Sequence, residues 1–199
     1  MGITERRVRE KEKVRTAILS TAWRMVKEEG WQSLSMRKIA DAIEYSAPVI
    51  YDHFENKEAI LFEFGKEGFM MLAKKIREAK AKNTDPEEQL KLMANAFWDF
   101  ASRHKEYYLL MYGQGMMGCE IEKCLPEKVD FRNMVSEPLS ILIKKGKNPG
   151  ADTCLKYYTF WSILHGLISM KNMRGTGVSD EINKLVMEDA IAGFIKNLG

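Results

Sequence analysis

The stretch SMRKIADAIEYSAPVIYDHFENKEAI, residues 35–60, contains two short helical phrases split at Glu44-Tyr45-Ser46. Met36, Ile39, Ala40 and Ile43 recur at i, i+3, i+4 and i+7, so the first phrase is a helix with one apolar face, and Ser35 stands where its N-cap belongs. Ser46 takes the same place before the second phrase. Pro48 then falls in the first turn, where its missing N–H breaks no helical hydrogen bond. So short a helix is not stable alone in water. Its neighbours must hold it in place.

Those neighbours lie on either side. Upstream, VRTAILSTAWRMVKEEG places Val14, Ile18, Ala22 and Met25 with Val26 on one stripe, and Gly30 follows as a C-terminal stop. Downstream, Asn56 caps a longer helix that starts at Lys57 and runs to about Lys82. The first short helix is expected to bury its stripe against the Ile18–Val26 face. The second buries Ile50 and Phe54, at i and i+4, which leaves Ala47, Pro48, Val49, Tyr51 and His53 variously exposed. Two short helices joined by a tight turn and braced by a longer one make a helix-turn-helix. In that motif the second helix enters the major groove with its N-terminus first. The DNA-facing set is then Ser35, Arg37, Ser46, Ala47, Pro48, Val49, Tyr51, His53 and Lys57. The Tyr51 hydroxyl and the Lys57 charge suit phosphate contacts that position the protein. Ala47, Pro48 and Val49 have no amide or guanidinium fork, so they suit thymine methyl groups better than bidentate base readout. Arg37 offers a base or phosphate contact from the first short helix.

Helical spacing continues through the chain, and no strand pattern or repeat stands out. Helices are expected over about 86–103, 107–112, 126–145, 152–173 and 179–198, with GQGMMGCEIEKC as a loop or broken helix. The fold class is all-α, with a helix-turn-helix domain over 1–56 and a second helical domain over 57–199. Bulk charge excludes little: 31 Lys and Arg against 28 acids leave +3, too mild to identify a nucleic-acid partner. The basic run RRVREKEKVR at 6–15 reads from charge alone as a solvated first helical turn with a frayed start. No apolar run has membrane-spanning length and the N-terminus lacks the apolar stretch of a signal peptide, so a cytoplasmic protein is expected. Cys119, Cys124 and Cys154 lack disulfide-framework spacing, and ordinary or redox-sensitive thiols fit them better than a metal site. No metal or cofactor is expected. His53, His104 and His165 lie in separate segments with no nucleophile beside them, which argues against an enzyme. His104 reads as a helix-end or solvent residue.

Ile18-Leu19 and Ala22, then Gly30, Ile39-Ala40, Tyr51, Phe54 and Lys57 with Glu58, resemble the N-terminal domain of tetracycline-repressor (TetR) family regulators over about residues 10–60, without a gap in spacing. The resemblance implies an all-α homodimer on a palindromic operator, usually a repressor, released by a small ligand in the C-terminal domain, and it assigns effector binding and dimerisation to the helical domain over 57–199. The family's turn usually carries Gly where this chain has Glu44, and a left-handed residue other than Gly costs roughly 1 kcal/mol there, so a slightly different turn is expected, without loss of the motif. Tyr45 replaces the usual small aliphatic residue and reaches either the core or the DNA backbone.

The segment FWSILHGLISM, 160–170, holds Trp161 and then His165-Gly166, which resembles a subset of the family with a Trp…His-Gly motif on the penultimate helix. The motif implies dimerisation and pocket lining. Gly within a helix costs about 1 kcal/mol relative to Ala, and close helix–helix approach accounts for keeping it at 166. Leu155, Tyr158, Ser162, Gly166 and Ser169 follow helical spacing as a dimer face, and the last two helices are expected to pair with those of a second chain in a four-helix bundle. His165 reads first as a satisfied side chain at that face and second as a pocket residue. Trp98, Tyr108, Met111, Tyr112 and Trp161, with His165, are the expected lining for a small hydrophobic effector. Two other functions fit the same residues: a DNA-binding protein outside transcription, and a small-molecule-binding protein that has lost DNA binding. Genome-wide binding sites separate the first and a gel shift the second.

Overall fold

The computed structural model describes residues 3–113, 126–173 and 177–198, and every regular element among them is helical. The helices are α1 (Ile3–Glu29), α2 (Met36–Ala42), α3 (Ala47–Tyr51), α4 (Lys57–Lys80), α5 (Pro86–Arg103), α6 (Lys105–Tyr112), α7 (Pro126–Lys145), α8 (Thr153–Asn172) and α9 (Asp180–Lys196), with a 3₁₀ turn at Trp31–Ser33. The expected loop at 114–125 lies outside the described residues, together with Cys119 and Cys124. The basic run at 6–15 is part of α1.

The chain forms two compact units. The first holds the described residues through Glu67 and those from Glu106 to Gly113, and the second holds Gly68–Lys105 and the described residues from 126 onward. These units follow packing, so they do not follow the functional border expected at Lys57. Aromatic contacts account for the inclusion of α6 in the first unit. The Tyr107 ring lies 4.4 Å from Trp23, and Trp31 donates its indole N–H to the Glu106 carbonyl at 2.7 Å.

In the first unit α1 ends at Gly30, whose φ of 83° suits glycine and whose N–H reaches the Val26 carbonyl at 2.8 Å. Ser35 caps α2 by accepting from the Lys38 N–H at 3.2 Å, and Asn56 caps α4 through the Ala59 N–H at 2.8 Å. Ser46 occupies the N-cap place of α3, but its side chain makes no capping bond. The position was legible; the bond was not. Ile18, Ala22 and Val26 of α1, Met36, Ile39 and Ala40 of α2, and Ile50 and Phe54 around α3 are all buried.

The α2–α3 turn is not the altered one expected: Glu44 keeps the left-handed conformation and carries its cost. Its φ is 58°, the only positive value at a non-glycine residue among those described. The Tyr45 N–H bonds back to Ala40 at 3.0 Å and the Glu44 N–H to Asp41 at 3.3 Å. This is the bond pattern of a helix end that normally has glycine at the left-handed position.

In the second unit α5 packs on α7, α8 and α9, while α8 packs on both α7 and α9. Its core is apolar: Phe97, Phe100, Phe160 and Leu164 are fully enclosed, and no polar or charged residue is buried among those described. Pro138 lies inside α7. His104 closes α5 as its C-cap, the helix-end role expected of it, with its ring 5.2 Å from Phe100.

Glu44→Gly should raise the unfolding free energy by about 0.5–1 kcal/mol, because relief of the left-handed strain exceeds the entropy that Gly adds to the unfolded chain. That corresponds to roughly 2 °C in the thermal midpoint. Glu44→Val, with a β-branched side chain at the same φ, should lower it. A glycine variant no more stable than the wild type would remove the strain from this account.

Candidate nucleic-acid interface and effector region

A helix of five residues must borrow its stability from packing. Ile50 is fully enclosed and Phe54 nearly so, and the Arg15 guanidinium sits 4.4 Å above the Phe54 ring. With those side chains inward, the helical period turns Pro48 and Tyr51 outward, and Tyr51 is 52% exposed. Ala47, Val49, His53 and Lys57 are half-buried, while Arg37 and Ser46 are exposed and Ser35 is half-buried under its capping bond. Tyr45 points out to solvent at 47% exposure, so it is not a core residue.

The basic end of α1 belongs to this surface. Burial holds His53 below its ordinary pKa, and the charge of Lys11 and then of Arg15 push it further the same way against Asp52. The shift favours the uncharged imidazole. Arg15 also pairs with Glu63 at 2.9 Å. Charge patterning alone missed Lys11 and Arg15, because what brings them to α3 is the antecedent packing of α1 on the motif. The only sequence signal was that both lie on the helix that braces it.

The expected effector residues divide between the two units. Tyr108, Met111 and Tyr112 belong to the first, where Tyr108 and Tyr112 lie ring to ring at 5.4 Å and burial raises Tyr108 to about 12. Trp98, Trp161 and His165 belong to the second. There the Trp161 ring stands 4.6 Å from Phe97, 4.7 Å from Phe131 and 5.8 Å from His165. Burial lowers His165 to about 4, so it is neutral through the physiological range. Trp98 faces the Lys171 ammonium, 5.0 Å above its ring, and that ammonium also donates to the Ser102 hydroxyl at 2.8 Å. Phe131 and Tyr157 around Trp161 were not legible as neighbours from the sequence.

One polar atom in this cluster is out of balance. Trp161 is 6% exposed and its indole N–H meets no acceptor in hydrogen-bond geometry among the described residues. The adjacent Tyr157 hydroxyl, raised to about 12 by burial, interacts with both the indole and Arg132, which push it the other way. A buried donor without a partner costs about 1–3 kcal/mol.

The residues expected to form a dimer face are displayed on α8. Leu155 is 62% and Tyr158 51% exposed, and Ser162, Gly166 and Ser169 are exposed along the same stripe. Met170 extends it, and Ile182, Leu185 and Val186 add exposed apolar surface on α9 that the sequence reading did not single out. A Cβ built on Gly166 or Gly193 meets nothing within 4 Å. Among the described residues there is no cluster of acidic, His or Cys side chains able to hold a metal, and no helix is long and apolar enough to cross a membrane.

Residues 18–64 match the model of bacterial regulatory proteins, tetR family, and residues 90–192 match that of the tetracyclin repressor-like C-terminal domain. The transcriptional activator FasR of Mycolicibacterium smegmatis is 28% identical over 98 residues, 49% of this chain and 45% of FasR. The chain spans about half the length of the curated relatives it matches. Among solved structures, FadR of Bacillus subtilis in complex with stearoyl-CoA superposes with a TM-score of 0.67 at 17% identity, covering 92% of this chain and 96% of FadR. AibR in complex with isovaleryl coenzyme A and operator DNA gives 0.68 at 19% identity, covering 90% and 96%. At such identities the likeness to these structures is one of fold. The two family models between them take in the motif around α3 and most of the helices beyond it, and the chain belongs to the tetR family of bacterial regulatory proteins.

Proposed function

We propose that this protein is a ligand-responsive transcriptional regulator that binds a palindromic operator as a homodimer and is released by a small hydrophobic effector. The observation that carries the reading is α3: Ile50 is committed to the core, Tyr51 and Pro48 face outward, and the charges of Lys11 and Arg15 on α1 act on His53 just beyond it. A surface of that shape and charge fits the major groove and its flanking phosphates. Repression is the simpler sign, since a bound dimer obstructs transcription at its site. A reporter driven by the operator selected from random DNA reads that sign, and FasR, an activator by name, exemplifies the opposite result. The ligands in the FadR and AibR complexes are acyl-CoA thioesters, and a thioester carbonyl is an acceptor of the kind that the Trp161 N–H lacks. An acyl thioester is therefore the effector class to try first.

For the DNA face, Lys57→Ala should reduce the slope of log affinity against log salt by about one unit. Tyr51→Phe should weaken operator binding by about 0.5–1.5 kcal/mol, the worth of one hydrogen bond, with helical content unchanged. A Lys57→Ala protein with the wild-type slope would assign Lys57 to helix initiation instead.

For the dimer, Gly166→Leu offers a clean test, because the single chain has open space at that Cβ. Leucine should leave the protomer folded. Overpacking of a helix contact costs about 1–3 kcal/mol, and two-fold symmetry places the substitution in the interface twice. Sedimentation should show at least tenfold weaker association, and operator affinity should fall with it, since each half-site contact is weak untethered. A variant that stays dimeric and binds operator normally would move the interface off this face.

For the effector, an acyl thioester that lowers operator affinity must itself bind more weakly in the presence of operator, by the same factor. Calorimetric titrations with and without operator measure both. Equal ligand affinity in the two would leave binding without regulation.

A further inference from the structure

The first unit contains a cavity of about 610 Å³, bounded by the end of α1, the first turns of α4, and α6. That volume is within the roughly 300–1,000 Å³ of small-molecule sites. Glu29, Trp31, Lys57, Leu61, Leu109 and Leu110 line it, and none of the residues expected to meet the effector does. Its main wall is rigid. Trp31 is pinned by the bond from its indole N–H to the Glu106 carbonyl at 2.7 Å, and its ring packs 5.9 Å from Trp23 and 5.5 Å from Phe64. Leu110 is buried, whereas Leu109 opens to water at 40% exposure. The charges are unequal: Glu29 is already paired with Lys38 at 3.2 Å, and Lys57 has no ion pair among the described residues. An apolar cavity with one uncompensated cation at its edge suits a molecule with a hydrocarbon body and an anionic end.

We propose that this cavity binds an alkyl carboxylate of medium chain length, its hydrocarbon against Trp31, Leu61 and Leu109 and its carboxylate on the Lys57 ammonium. The site is separate from the aromatic cluster around Trp161, which belongs to the other unit. Lys57 is also the cation assigned to operator phosphate. One ammonium cannot serve a carboxylate and a phosphate equally, so the bound acid competes with DNA at the contact itself. The competition rests on the proposed role of Lys57; the binding does not.

The test uses the whole protein, with decanoate below its micelle concentration, decanol as the uncharged counterpart, and calorimetry as the readout. Decanoate should bind saturably, and each added pair of methylenes should tighten binding by on the order of tenfold while the cavity has room. Lys57→Met should abolish the preference for decanoate over decanol. Leu109→Glu, which puts a carboxylate into the apolar wall, should weaken decanoate at least tenfold and leave operator affinity without the acid unchanged. Decanoate should weaken operator binding by the wild type and not by Leu109→Glu. No saturable binding overturns the proposal, and so does decanoate affinity that survives Leu109→Glu but is lost in Trp161→Phe, because the acid is then in the other unit. Binding that requires both Leu109 and Lys57 yet leaves operator affinity untouched upholds the site and overturns the competition, which returns Lys57 to a structural role.

Discussion

The enclosure of Ile50 and Phe54 is the contact on which the DNA-facing unit depends. Burying an aliphatic or aromatic side chain of this size contributes about 1.5–3 kcal/mol, and α3 has no other comparable source of stability. Its length rules out self-sufficiency, and Ser46 adds no capping bond. The two side chains also fix the rotation of α3 about its axis. Once they point inward, the outward set follows from the helical period. Stability and presentation are thus one property here, and a substitution in the core at Ile50 acts on the outward-facing surface of α3 without touching it.

The second unit solves a different problem. Its interior is apolar throughout the described residues, and its polar groups are kept to the edges, as with Lys171 over Trp98 and Arg132 bonded to the Tyr158 hydroxyl at 2.8 Å. Yet α8 and α9 leave large apolar side chains in water. A single soluble chain rarely displays a contiguous apolar surface of this kind without a partner for it. The same helix, α8, therefore has two demands on it: Trp161 and Leu164 serve the interior, and Leu155, Tyr158 and Gly166 serve the outside.

How much of this was legible in the sequence depended on range. Features set within one or two turns were readable. The Met36, Ile39 and Ala40 stripe, the caps at Ser35 and Asn56 and the stop at Gly30 stand where spacing and backbone preference put them, whereas Glu44 takes a left-handed conformation against its own preference because the turn demands it. Features set by the meeting of distant segments were not. Lys11 and Arg15 lie more than thirty residues before α3 in the chain, so charge patterning read them as solvated. The aromatic residues at 98, 108, 112 and 161 all read as pocket lining because composition records that aromatics are present and not which unit each joins. The cavity beside Lys57 gave no signal, since its walls come from α1, α4 and α6, and no motif spans all three. The exposed face of α9 was missed for a related reason: its apolar residues fall on more than one side, and burial sorted Met187 and Ile191 inward from Leu185 and Val186 outward.

The unanswered indole N–H of Trp161 bears on how long the protein survives as well as on what it binds. An empty domain carries the cost of that desolvated donor, about 1–3 kcal/mol. Any molecule that brings an acceptor to it returns that cost to the folded state. In a cell, a change of 1–2 kcal/mol in folding free energy alters the steady-state amount of a protein several-fold, through proteolysis of the unfolded fraction. If the proposed effector supplies that acceptor, the protein is cleared faster when empty than when occupied. The concentration of its ligand would then set how many copies exist, on a slower clock than the one that sets how many are bound.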